Sequence, residues 1–454
     1  MSPEDKNIVV LTTTQNHVWQ SMQEIIPELE QHWVSLSQNA TLVNVDTATI
    51  QSLTKAVLKA EIVVLIALNG KIAQFARVIR FNLGLDIPFV IHLHNQATIG
   101  LWPFRYFGDE NFFRKNDLFI GTCLGDERAL KLCCPDASFA LIPFSLPHLN
   151  RGNEIELTPF NGKRFIFVGR ISRQKNLHTL FLALSLLPKD TIWHLDVFGT
   201  EDELGNPNME LSWPNYLAEL KSLISFLKID TNVTFYGQVK REELYETLKQ
   251  IPHIFVSPSI HSDENFGMAA LRSLAMGSMA ILTDWGGHEH FLEHFNSQVL
   301  LVDVYSSRLG PWVCPRELSE KLLQSLNSEY SEKMLPDYFS SQSIQREMSL
   351  AIASLLPTQD PLGFSPLADA IFERRKGLAQ QKGQKVFTGY DDALVAHFFS
   401  AYGMGKRAAP IPRGNPLPWI TINGNQAIIR DPAKGEFIVA VDELAALGAL
   451  WSED

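Results

Sequence analysis

Short, mainly apolar runs recur along the first two-thirds of the chain, most of them followed by a stretch with helical spacing. Residues 8–11 (IVVL), 62–68 (IVVLIAL) and 88–94 (PFVIHLH) have this character, and so do 164–168 (RFIFV), 253–257 (HIFVS) and 280–283 (AILT). A strand that does not alternate apolar with polar must be covered on both faces. Strands that alternate with helices at regular spacing form a parallel sheet, with the crossover helices packed on both faces. Further strands are expected at 41–45, 193–198 and 233–235. Between them, Met22, Ile25, Ile26, Leu29 and Trp33 recur at helical spacing within 19–33, and helices are expected at 50–58, through Phe75, Val78 and Ile79, and at 177–187, 242–248 and 266–276. The pattern predicts an α/β chain built on parallel sheet with helices on both faces.

Two loops at strand ends carry the chemistry. The first, Gly169-Arg170-Ile171-Ser172-Arg173-Gln174-Lys175-Asn176, joins an apolar strand to an apolar helix. A helix start offers unpaired N–H groups and positive dipole, and the cations add formal charge, so this loop suits a diphosphate. Arg173 is expected to face solvent. The second stretch, 257–287, reads loop, buried helix, strand and glycine turn. It holds Glu264 at a helix start, and Gly286-Gly287 where the backbone can approach a partner closely. A carboxylate there can only accept hydrogen bonds.

These residues resemble the donor site of retaining glycosyltransferases of the GT-B fold, in glycosyltransferase family 4 (glycosyl transferases group 1). Glu264-Asn265-Phe266-Gly267 and Ala275-Met276-Gly277 fit the family's pattern; Arg272 stands where members carry a second Glu. The resemblance covers roughly three-quarters of the chain, and within it 117–122 and 139–143 resemble the last strands of the family's first domain. It implies two Rossmann-like domains facing a cleft: an acceptor domain at 1–158, a nucleotide-sugar donor domain at 159–336, a return helix at 337–357, and a C-terminal α+β extension at 358–454. Arg170 and Lys175 map onto the pair that holds the donor diphosphate, with Gly169 beside them; Glu264 maps onto the residue that binds donor-sugar hydroxyls. Asn265, Phe266, Gly267, Gly286, Gly287 and Glu289 are further implied donor contacts, as is the backbone at Gly237. On the acceptor side the resemblance implicates His94 and Asn95 at a strand end, and His17 in the polar loop 12–17. Arg272 cannot accept from a ribose. It pairs a neighbouring carboxylate, meets an extra anion on an unusual donor, or marks a site that no longer catalyses.

The implied reaction moves a sugar from a nucleoside diphosphate sugar to a glycan, lipid-linked or other hydroxyl acceptor. No metal or other cofactor is expected, and Arg170, Lys175, Glu264 and His94 are the candidate catalytic residues. The rival readings are a non-catalytic nucleotide-sugar binder, and another GT-B activity such as a phosphorylase or epimerase.

Composition narrows the partners. A net charge of -11 over 454 residues argues against nucleic acid and against bulk attraction to an anionic membrane. Four cysteines form no CxxC pair and no zinc spacing. The N-terminus lacks a signal-peptide pattern, and no run approaches the ~18 apolar residues of a spanning helix. A cytoplasmic location is expected, with peripheral membrane contact left open. The loop 201–214 is long and turn-rich, as functional loops often are. The aromatic stretch holding Trp102, Phe104, Tyr106, Phe107, Phe112 and Phe113 is expected to pack as a loop. In the tail, 373–385 is basic, and Asn423-Gly424 predicts a hairpin turn; the tail could also mediate oligomers.

Overall fold

The computed structural model describes residues 5–14, 20–67, 69–94, 112–202, 215–261, 264–307, 310–328, 334–370, 373 and 400–403, together with the backbone of six short strands between 407 and 452. Its described residues divide into two compact units, 1–147 with 336–384, and 148–335 with 385–454.

The first unit is built on strands β1 (Ile8–Thr12), β2 (Thr41–Asn44), β3 (Ile62–Leu65), β4 (Phe89–His92), β5 (Leu118–Gly121) and β6 (Ser138–Leu141). They form one parallel sheet in the order β2-β1-β3-β4-β5-β6. The helices between them include α1 (Gln20–Leu36), α2 (Ile50–Val57), α3 (Gly70–Arg77) and α4 (Leu124–Cys133). Strands β1, β3, β4 and β5 are buried at every residue, as their unbroken apolar sequences require.

The second unit repeats the plan with β7 (Arg164–Val168), α5 (Leu177–Ser185), β8 (Leu195–Phe198), α6 (Tyr216–Leu227), β9 (Val233–Gly237), α7 (Arg241–Leu248), β10 (His253–Ser257), α8 (Met268–Ala275), β11 (Met279–Thr283), α9 (Glu289–Phe295) and β12 (Val299–Val302). Its order is β12-β11-β10-β7-β8-β9, all parallel. Counted from its own first strand this is the 3-2-1-4-5-6 order of the dinucleotide-binding fold. The order reverses between β7 and β10, and a crevice opens beyond the carboxyl ends of strands at such a point. A hairpin, β13 (Val304–Ser307) and β14 (Gly310–Val313), and helix α10 (Pro315–Leu326) follow.

Two boundaries differ from the sequence expectation. Residues 148–158, expected in the first domain, belong to the second unit: Leu149, Ile155 and Leu157 pack on the cluster of Ile166, Phe198 and Leu244, and the Ile155 N–H donates to Thr247 Oγ1 at 2.8 Å. Residues 358–370, expected in the extension, belong to the first unit. The N–H of Leu362 donates to the Phe113 carbonyl at 2.9 Å, and that of Ser365 to the Cys133 carbonyl at 2.8 Å. Ahead of them, α11 (Ser341–Ala353) also joins the first unit, where the buried Lys6 ammonium donates to the Ile352 carbonyl at 2.9 Å.

Phe112 and Phe113 are buried against Phe89 and Phe119, while Trp102, Phe104, Tyr106 and Phe107 lie outside the described residues. In the tail, residues 420–423 and 426–431 pair as an antiparallel hairpin with Asn423 opposite Gln426, and 435–440 adds a third strand. Among the described residues no helix is long and apolar enough to cross a membrane.

Candidate active site

The loop after β7 and the loop after β10 meet at the switch point of the second sheet, and hydrogen bonds and an ion pair tie them together. Asn176, in the left-handed conformation that joins a 3-10 turn to α5, donates from Nδ2 to the Pro258 carbonyl at 3.1 Å. The Ile260 N–H donates to the Gln174 carbonyl at 3.1 Å. The third link is an ion pair between Lys175 Nζ and Glu264 Oε2, two side chains only 15% and 11% exposed. Arg170 is held in the same way: Nη1 donates to Asp202 Oδ2 at 2.8 Å, and Nη2 to His261 Nε2 at 3.3 Å.

Burial would push the Glu264 carboxyl up. The charge and hydrogen bond of Lys175, together with His288 and His261, outweigh burial and hold it well below the ordinary carboxylate range. His261 goes the other way: burial, then Lys175 and Arg170, push it well below the ordinary histidine value. It is therefore neutral, which lets Nε2 accept from Arg170. His288 is also pushed down by burial. Thr283 Oγ1 gives its one proton to the Ser259 carbonyl at 2.6 Å, so the 3.2 Å contact with His288 Nδ1 has the imidazole as donor. His288 Nε2, without a proton, then lies 4.0 Å from Glu264 Oε1. The site thus sets two cations, Arg170 and Lys175, among two carboxylates and two neutral imidazoles.

The glycines serve this assembly first. A Cβ on Gly286, whose φ is +59°, would lie 2.2 Å from the Glu264 carbonyl oxygen, and one on Gly287 would lie 2.1 Å from that of Asn265. The Gly287 N–H donates to the Glu264 carbonyl at 2.7 Å, so in this conformation it holds the loop and does not point at a ligand. The Trp285 indole fixes the same loop by donating to the His261 carbonyl at 2.7 Å. Gly199, at φ +142°, brings the end of β8 so close to the Gly169 carbonyl that a Cβ would sit 1.8 Å from it. Gly237 closes the row, accepting from the Gly199 N–H at 2.8 Å.

The remaining candidates spread over the second unit. Gly267, at φ +95°, caps α8 beside His288 and Phe291, and Phe266 packs edge-on against Phe291. Glu289 begins α9. Arg272 is buried in α8 with its guanidinium 5.0 Å from the Tyr245 ring centroid on α7, a cation–π contact, and feels the charge of Glu242. Sequence reading does not single out His261, Asp202 or Trp285, which are lone residues on loops without a spacing signature.

His94 lies in the first unit, after β4. Its Nε2–H donates to the Ile66 carbonyl at 2.6 Å, and its ring stacks on Phe144. His17 and Asn95 lie outside the described residues. Burial pushes His94 down to about 4, the bond to Ile66 opposing, and pushes His92 and His32 below the ordinary value too. A lowered folded-state value contributes stability above the unfolded value of 6.5 that is lost as the pH falls towards 4. Chemical denaturation should therefore show the chain weakening over that window, and His94→Gln should flatten the decline. A wild-type curve flat from neutral pH to pH 4 would contradict this assignment.

Residues 153–309, which hold both loops, match the family model described as Glycosyl transferases group 1. The matched residues all lie in the second unit and make up about a third of the chain. Mannosylfructose-phosphate synthase from Agrobacterium fabrum is 29% identical to this chain over 131 residues, 28% of this chain and 27% of that protein. The match thus spans about a quarter of that curated relative. Two solved structures align over 77% of this chain: Anabaena HepE in complex with UDP and glucose, with a TM-score of 0.51, 13% identity and 100% of its chain covered, and the lipopolysaccharide outer core galactosyltransferase WaaB, with a TM-score of 0.50, 14% identity and 99% covered. These likenesses show the fold, two Rossmann-like units as in GT-B proteins. Arg170, Lys175, Glu264, Gly286 and Gly287 all lie inside the matched residues.

Proposed function

We propose that the chain is a glycosyltransferase that takes a sugar from a nucleoside diphosphate sugar, and that Lys175 and Glu264 form the centre of its donor site. The observation that carries this reading is their contact at the β7/β10 switch point, inside the matched domain. In the reaction the bond from the anomeric carbon to the phosphate oxygen breaks, and its electron pair leaves with the nucleoside diphosphate. An acceptor hydroxyl oxygen bonds the anomeric carbon and loses its proton. Charge builds on the diphosphate, where Arg170, Lys175 and the start of α5 can stabilise it electrostatically. Glu264 accepts hydrogen bonds from sugar hydroxyls. The reading retains anomeric configuration, takes the acceptor on the first unit, where His94 sits after β4, and places the protein in the cytoplasm.

The complex of the HepE neighbour with UDP puts uridine first in the test. Thermal unfolding is followed with UDP, GDP, ADP, CMP and their sugar conjugates. A nucleotide at about a hundredfold its Kd should stabilise by about 2.7 kcal/mol. A hit that Lys175→Ala abolishes, with sugar appearing on an added acceptor, supports the reading; silence across the panel sinks it. The reading assigns the diphosphate charge to side chains and not to a metal. Turnover should therefore survive EDTA unchanged, and loss restored by a divalent ion would overturn that part.

A second reading, a nucleotide-sugar binder that does not transfer, is favoured by Arg272, which lies over Tyr245 where family members carry a carboxylate. Tight binding without transfer or hydrolysis would select it.

A further inference from the structure

Gly286 is flanked on two sides. Its missing Cβ points at the Glu264 carbonyl, 2.2 Å away, and 3.5 Å from the same position lies Cδ1 of Tyr402. Tyr402 comes from the C-terminal tail, outside residues 153–309 that match the family. It is 1% exposed, its neighbour Ala401 is 4% exposed, and both belong to the second unit. Five residues on, the tail is anchored again: residues 407–408 pair in parallel with Tyr305 and Ser306 of β13. The tail is therefore fixed on the second unit by a strand pairing and by a ring laid against the site's glycine turn.

We propose that Tyr402 is a positioning residue of the donor site. Its ring braces Gly286 against the Glu264 carbonyl and so sets where the Glu264 carboxylate stands. The inference rests on the donor-site reading above. A flat ring is the side chain that can lie against a glycine where no Cβ fits, and it reaches Glu264 through backbone alone. Glu264 is assigned to the sugar and Lys175 to the diphosphate. The brace should therefore matter more for the sugar nucleotide than for the bare nucleotide.

The full-length chain is tested by calorimetric binding of UDP-glucose against UDP, and of GDP-mannose against GDP. The pair that binds wild type is then measured on Tyr402→Ala, Tyr402→Leu and Tyr402→Phe. The expected result is that Tyr402→Ala weakens the sugar nucleotide about tenfold and the bare nucleotide less than about threefold. Tyr402→Phe, which keeps the ring, should restore the wild-type ratio. If Tyr402→Ala does not fold, Tyr402→Leu, which keeps apolar volume without the ring, is read in its place. Equal affinity of wild type and variant for the sugar nucleotide overturns the proposal, and so does an equal loss for both ligands. Wild type that binds no nucleotide at all overturns the donor-site reading, and this inference with it.

Discussion

Lys175→Ala should lower glycosyl transfer by about 10²–10³-fold, the cost of removing one preorganised donor aimed at developing negative charge. The substitution also strands a carboxylate. Glu264 is 11% exposed and keeps its burial when the ammonium goes. Breaking such a pair from one side costs on the order of 3 kcal/mol, because the remaining charge has no compensation. The pH dependence separates this from simple loss of packing. In wild type Glu264 is held below the ordinary range, so its contribution is present above the unfolded carboxylate value and is lost as the pH falls through the folded one. In the variant, burial acts alone and raises Glu264, so the variant is spared at acid pH and penalised as the pH rises. The stability gap between wild type and Lys175→Ala should be widest near neutrality. It should start to narrow above the unfolded carboxylate value of about 4, as the variant's Glu264 protonates, and go on narrowing below it as the wild-type contribution is lost. A gap that does not change with pH would falsify the assignment of the pair.

Gly287→Ala should be nearly as damaging through sterics. Its new methyl would meet the Asn265 carbonyl oxygen at 2.1 Å, the Asn265 carbonyl carbon at 2.4 Å and the Phe266 nitrogen at 2.7 Å. All three are backbone atoms, so no rotamer change relieves the overlap. Forced overpacking costs about 1–3 kcal/mol. What must move is the loop that carries Glu264, whose carbonyl accepts the Gly287 N–H. Donor affinity should therefore fall along with the melting temperature. Calorimetric titration with the nucleotide found for wild type checks this; unchanged affinity and unchanged melting would show that the loop has room the structure does not reveal.

The central strands were open to sequence reading because burial on both faces leaves few polar residues to interrupt them. Residues 62–65 are the clearest case, whereas β12 at the sheet edge was not read. Helix α8 begins two residues later than the apolar stretch 266–276 suggests, because Gly267 turns left-handed and leaves Phe266 in the loop. The start of the second unit escaped because 148–158 forms no regular element, and only tertiary packing on Ile166, Phe198 and Leu244 assigns it. In the site, Arg170, Lys175 and Glu264 stood out through their places at strand and helix ends. The groups that hold them did not. Asp202, His261 and Tyr402 lie 32, 91 and 232 residues from Arg170, and nothing local in the chain marks that they converge. The glycine turn was read as a ligand contact, whereas the structure shows what it first accommodates: the backbone of residues 264–265.

The order in which the chain visits its two units has a consequence for biosynthesis. The first unit takes in 1–147 and then 336–384, with the whole stretch 148–335 of the second in between. A ribosome therefore releases the first sheet long before the helix Ser341–Ala353 that joins it, and the buried Lys6 waits for the Ile352 carbonyl until that helix emerges. At about 5–20 residues per second, the roughly 200 intervening residues take about 10–40 s. Through that interval the nascent first unit stands without the helix Ser341–Ala353, and its completion is timed by the synthesis of its neighbour.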